Sequence, residues 1–227
     1  MHRTLELTGA LCALVSAAWA TPIAAQAPTR NCTEDEASFI EEQVREADYL
    51  LARVGADLQA LQGGEESSSF DYWFGNHEPA QLERVTSKFL TMREVANEAI
   101  YDCACDLTQE LLDDGYTEAN TMAWVNPFAR ERSVHLCPLF FEKDPSEFGA
   151  GTLIHEYAHY AGAADSAQWC VEDPVTKHHP EWAEASRMLA IHDPEQAAYN
   201  ADSYRLYALD WDPARPSAWP CDESPKH

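Results

Sequence analysis

The chemistry this sequence offers is concentrated in His155-Glu156-Tyr157-Ala158-His159. On a helix, side chains four residues apart lie on one face a turn from each other, so His155 and His159 can close on a single metal ion. Neutral imidazoles suit Zn²⁺, and a glutamate next to the first histidine can take the proton of a water polarised by that ion without ligating it. This is the layout of a zinc peptidase with Glu156 as general base. Three fixed positions in five would arise by chance in roughly a few per cent of chains this rich in His and Glu, so the flanks matter. Leu153-Ile154 and Tyr157-Ala158 supply an apolar face, which lets the helix sit in a core while the histidines face a cleft.

A catalytic zinc needs a third protein ligand and an open position. Downstream donors are Asp165, Asp173, His178, His179, Glu181 and His192. Gly162 and Asp165 complete His-Glu-x-x-His-x-x-Gly-x-x-Asp, in which a glycine turns the chain so that the residue three on returns to the metal. By itself that pattern is metzincin-like, with an aspartate as ligand.

The elements that must position these groups follow from periodicity. Thr33-Glu34-Asp35-Glu36 is a capping-box signature, and Ile40, Val44, Ala47, Leu51, Val54, Leu58 and Leu61 then recur at helical spacing. Gly63 to Ser69 reads as a polar loop, and Tyr72-Trp73-Phe74-Gly75 as an aromatic knot at a turn. A second helix runs from Pro79 through Leu82, Val85, Phe89, Met92 and Ala96 to about Ile100. Met122–Val125 and Ser133–Cys137 alternate as short strands joined by residues 126–132, which predicts a small antiparallel hairpin beside the metal helix. Such a strand is an edge on which a peptide can add. His135 in it is expected to pack or face solvent. Pro180 opens one further helix and Asp193-Pro194 the last, ahead of a proline-rich tail. The pattern predicts an α+β fold, mostly α: one zincin-like domain over residues 26–227, with a small antiparallel β element and a metal-bearing helix.

Residues 1–25 read as a signal peptide, with a charged start, an apolar run from Leu7 to Ala20 and cleavage somewhere between 20 and 27. The expected location is therefore secreted or periplasmic. Of seven cysteines, Cys12 lies in that run. The other six form an even set, read as three structural disulfides with fifteen possible pairings. Thirty-nine acids against fifteen Lys and Arg give a net charge of −24, which excludes nucleic acid and anionic membranes as partners. Protein or peptide substrates and a monomeric state are expected, with one Zn²⁺ per chain.

The chain resembles the aspzincins, the deuterolysin and peptidyl-Lys metalloendopeptidase family, over residues 32 to 209. The resemblance is carried by Tyr72-Trp73-Phe74-Gly75, Tyr101-Asp102-Cys103-Ala104-Cys105, Leu136-Cys137-Pro138-Leu139-Phe140-Phe141, Gly151 to His159, and Asn200-Ala201-Asp202-Ser203-Tyr204. It implies a secreted single-zinc endopeptidase with Glu156 as base, an aspartate as third ligand, and Cys32–Cys103 and Cys105–Cys137 disulfides; Cys170–Cys221 follows by exhaustion. Two departures stand out. The family's Gly-Thr-x-Asp-x-x-Tyr-Gly is here Gly162-Ala163-Ala164-Asp165, with Gln168 in place of the oxyanion-holding Tyr. Counting back from Asn200 instead brings His179 forward as the alternative third ligand; Asp165 is preferred for its hard carboxylate and preceding glycine. In the lysine-specific branch an acid lies three residues after the Asn-Ala-Asp aspartate, and here that residue is Arg205. Asp202 is therefore divided between substrate binding and a helix-internal hydrogen bond. The altered third-ligand segment also keeps open a second class of function, a peptidase-like binding protein with a degraded site.

Overall fold

The computed structural model describes residues 27–142, 149–165 and 183–209. After the short strand β1 (Thr29–Arg30), helix α1 runs from Glu34 to Gln62. Thr33 and Glu36 close a full capping box, each satisfying the other's orphan amide. Its apolar stripe, Ile40 through Leu61, is buried as the helical spacing requires.

The stretch read as a loop and a knot is partly helix: α2 spans Ser68–Phe74, with the Ser67 hydroxyl accepting from Phe70 N–H at its start. Serines that look flexible in sequence are here a cap and a first turn. Gly75 ends α2 at φ +86°, and a Cβ there would lie 2.2 Å from the Ala190 carbonyl, so backbone approach demands glycine. Helix α3 (Pro79–Glu98) follows with proline in its first turn. Phe70, Phe74, Phe89, Tyr204 and Tyr207 interlock at ring separations of 5.0–5.9 Å, tying α2 and α3 to the last helix.

The expected hairpin forms, β3 (Ala123–Val125) antiparallel to β4 (Ser133–Leu136), but it belongs to a larger sheet. Strand β2 (Ile100–Asp102) lies parallel to both β1 and β4, and the order is β1-β2-β4-β3. Strands of two and three residues are too short for any alternation to show in sequence. Short helices α4 (Gln109–Asp113) and α5 (Pro138–Glu142) flank the hairpin. The disulfide Cys32–Cys103 closes directly after the β1–β2 pair, and Cys105–Cys137 ties the next turn to the end of β4. Cys170 and Cys221 lie outside the described residues, as do the 1–25 segment, His178, His179 and the tail.

Helix α6 (Gly149–Tyr160) carries the histidines across the core, with Leu153, Ile154, Tyr157 and Ala158 fully buried. Beyond it come α7 (Ala183–His192), α8 (Pro194–Ala197) and α9 (Ala201–Ala208). The sequence predicts one helix from Asp193; the chain instead breaks at Asn200, whose extended backbone joins an isolated parallel bridge with Ala164. Among the described residues no helix is long and apolar enough to cross a membrane.

Asp102 is the polar hinge of the β1–β2 edge. Its carboxylate accepts from Asn31 Nδ2 (2.8 Å), Arg30 Nε (2.8 Å) and the Ala104 amide (3.1 Å). Burial pushes its pKa up, but these three donors outweigh that and hold it below the usual Asp range. A depressed folded pKa means stability that is present above the unfolded value, near about 4, and lost as pH falls through the folded one. Denaturant unfolding of Asp102→Ala at pH 7 should show a loss of about 2 kcal/mol relative to wild type, shrinking toward zero in acid. A pH-independent difference would show that the carboxylate charge is not what matters.

Candidate metal centre

Why α6 can hold its chemistry rigid follows from how its C-terminal end is fixed. At its C-terminus Gly162 takes φ +78°, its amide bonds the His159 carbonyl (2.9 Å), and the Ala163 amide bonds the Ala158 carbonyl (2.9 Å). That pair is a Schellman motif, and it reverses the chain within three residues of the second histidine. Lys88 Nζ donates to the Ala161 carbonyl at 2.7 Å, a cation at the negative end of the helix. On the sheet side Tyr160 Oη donates to the Ser133 carbonyl (3.0 Å), which fixes α6 to β4.

The reversed chain is then pinned. Ala164 N–H donates to the Tyr199 carbonyl (2.7 Å) and Ala201 N–H to the Ala164 carbonyl (3.1 Å), so the next residue, Asp165, is delivered to the histidines. Its Oδ1 lies 3.2 Å from His155 Nε2 and 3.6 Å from His159 Nε2, and the two Nε2 atoms are 3.1 Å apart. Among the described residues these three are the one group of His, Cys, Asp or Glu whose ligand atoms converge in this way.

Each imidazole has its other nitrogen occupied. His155 Nδ1 donates to Asp202 Oδ1 (3.0 Å) and His159 Nδ1 to the Ala163 carbonyl (3.2 Å). Each Nε2 therefore points at the other and at a carboxylate, an arrangement that calls for a positive charge between them, a proton or a metal ion. Tetrahedral zinc with ligands at about 2.0–2.1 Å spaces its donors by about 3.3 Å, and the three observed separations bracket that value. The donor set fits the ion.

The electrostatics agree. Burial alone would lower the His155 pKa, yet Asp202 and Asp165 together raise it well above the ordinary range. Asp165 is lowered to about 2: burial opposes this, but the His155 hydrogen bond and the charges of His155 and His159 prevail. Glu156 is 4 % exposed, and its Oε2 has no hydrogen-bond partner among the described residues. Burial pushes its pKa up. Burying Leu153 and Ile154 on the same helix contributes about 1.5–3 kcal/mol each, which offsets part of the cost of keeping that oxygen out of water.

Of the residues singled out in sequence, His155, Glu156, His159 and Asp165 come together. His135 does not; it stacks on Trp124 with ring centroids 4.1 Å apart. Asp202, 1 % exposed, turns to His155 and also accepts from Arg205 Nη2 at 2.8 Å. The i,i+3 spacing of Asp202 and Arg205 announces that pair in sequence. Lys88 and the Ala164–Asn200 bridge had no such signal, since each acts across a long stretch of chain.

A helix-borne His-Glu-x-x-His, an acid returned by a glycine turn and a small mixed sheet alongside define the zincin class of fold. Comparison with known proteins narrows it. Residues 59–209 match the aspzincin family, described as lysine-specific metallo-endopeptidase, and this chain belongs to that family. A peptidyl-Lys metalloendopeptidase of Grifola frondosa is 25 % identical over 193 residues, covering 83 % of this chain and 49 % of the relative. A neutral protease 2 homologue of Neosartorya fischeri is 26 % identical over 198 residues, covering 84 % and 49 %. The chain thus spans about half the length of these relatives. The solved zinc peptidase from Grifola frondosa superposes with a TM-score of 0.59 at 25 % identity, over 79 % of this chain and 97 % of that one.

The contact between Asp202 and His155 carries a direct expectation. Asp202→Ala should weaken zinc binding about 10–100-fold, read by competition with a chromogenic chelator, because the imidazole loses the partner that fixes its tautomer and tilt. Unchanged affinity would show that helix packing alone orients His155.

Proposed function

We propose that this chain is a secreted zinc metalloendopeptidase, and the observation that carries the reading is the convergence of His155 Nε2, His159 Nε2 and Asp165 Oδ1 beside a buried Glu156 carboxylate oxygen that has no partner among the described residues. The two histidines and Asp165 would hold one Zn²⁺. When bound, the ion supplies a Lewis acid that polarises a water and the scissile carbonyl. Glu156 Oε2, which has no hydrogen-bond partner among the described residues, is placed to take a proton from the attacking water and would pass it to the leaving amine. Asp202 and the Ala163 carbonyl keep both imidazoles in the tautomer that leaves Nε2 free.

Strand β3 is the end strand of the sheet and packs against α6. An extended peptide adding to its outer edge would run past the histidines, with main-chain bonds supplying register. Family membership and the relatives' names support protein or peptide substrates. The N-terminal apolar run and the two disulfides support export, where oxidised cysteines persist.

Purified protein should carry about one zinc per chain and cleave casein, lose activity with a chelator and regain it with Zn²⁺. Glu156→Ala should keep zinc and fold but lose turnover about 10²–10⁴-fold. Asp165→Ala should lose the ion on dialysis, whereas His179→Ala should retain it. Zinc-loaded protein that hydrolyses no protein substrate would replace this reading with a peptide-binding one.

A further inference from the structure

Asp165 reaches the histidines because two distant stretches of chain run side by side at the Ala164–Asn200 bridge. Two backbone bonds span it, from Ala164 N–H to the Tyr199 carbonyl (2.7 Å) and from Ala201 N–H to the Ala164 carbonyl (3.1 Å). So short a ladder does not repay the entropy of fixing both backbones, and a further link has to hold them. Lys88, on α3, bears on both. Its Nζ donates to the Ala161 carbonyl at 2.7 Å, just before the Gly162 turn. The same Nζ lies 4.8 Å from the centroid of the Tyr199 ring, just before Asn200. A Cβ on Gly162 would come within 3.4 Å of it, so the ammonium is packed against the turn itself. The site is half-buried, where cation–carbonyl and cation–π contacts gain strength from the exclusion of water. Arg84, one turn earlier on α3, faces the Tyr199 ring from 5.6 Å and pairs with Glu195 at 3.4 Å; both contacts lie on the returning chain. Lys88 bears on the outgoing chain as well.

We infer that Lys88 is a positioning residue for the third metal ligand: its ammonium cross-links the two chains that meet at the bridge and so fixes where Asp165 stands relative to His155 and His159. The inference rests on the metal-binding part of the reading above. Lys88 acts through the backbone that carries Asp165 rather than on a donor atom. A lysine that served only the negative end of α6 would steady the two histidines and leave Tyr199 out of account. The cross-link predicts instead that the ammonium and the Tyr199 ring work together, and that both matter only while Asp165 is there to be placed.

The test uses the full chain with Zn²⁺ or Co²⁺ alone, measuring zinc affinity by competition with a chromogenic chelator and ligand geometry by the visible bands of bound Co²⁺. Lys88→Met, which keeps the stem and drops the charge, should weaken zinc binding about tenfold and shift the Co²⁺ bands. Lys88→Arg should restore most of both. Tyr199→Leu, at a residue 39 % exposed, loosens the same link from the other chain and should weaken binding about threefold, without adding fully to Lys88→Met. In an Asp165→Ala background Lys88→Met should change the residual affinity by less than about twofold. Wild-type affinity in either single variant overturns the inference, as does an equal loss from Lys88→Met with and without Asp165. Wild-type protein that binds neither ion would instead overturn the metal site itself.

Discussion

The hydrogen bond from His155 Nδ1 to the buried Asp202 carboxylate is the contact on which the rest of the site depends. Without it the ring could flip or take the other tautomer, and the lone pair aimed at His159 and Asp165 would be lost. That contact is expensive to keep, because a carboxylate at 1 % exposure must be compensated. Arg205 compensates it from one turn along the same helix, and the aromatic cluster around Tyr204 and Tyr207 holds that helix in place. Core packing and metal chemistry are thus joined at α9.

Much of this was legible beforehand. The capping box, the two long stripes, the hairpin and the His-Glu-x-x-His helix are all local patterns, and local patterns survive folding when the helix and strand are long enough to repeat. The Gly162 turn was readable for the same reason, since a positive φ at a helix C-terminus has a residue type attached to it.

What escaped was non-local or too short. Strands β1 and β2 have two and three residues, and they pair in parallel across 72 positions of chain, which no periodicity records. The predicted final helix splits because the Asn200 backbone extends to meet Ala164, and Asn200 Nδ2 bonds Ser186 and Ser203 instead of capping. Ser67 and Ser68 looked like a linker, because a serine that starts a helix and one that interrupts it have the same composition. Asp202 was legible in part: the helix-internal contact expected of it is made with Arg205, whereas its contact with a histidine 47 positions away left no local trace.

The bridge between Ala164 and Asn200 also defines a closed loop, since everything between Asp165 and Tyr199 leaves and returns at one point. For such a loop the closure entropy rises only with the logarithm of its length, about 0.6 kcal/mol per doubling. The donor atoms and their outer partners all sit on the near side of that closure or at its two ends. The described part of this excursion, residues 183–199, is itself anchored, by the Ala190 carbonyl against Gly75, by Arg187 on the Tyr72 carbonyl and by Ser186 on Asn200, so the closure that delivers Asp165 and the helix α2 share one support.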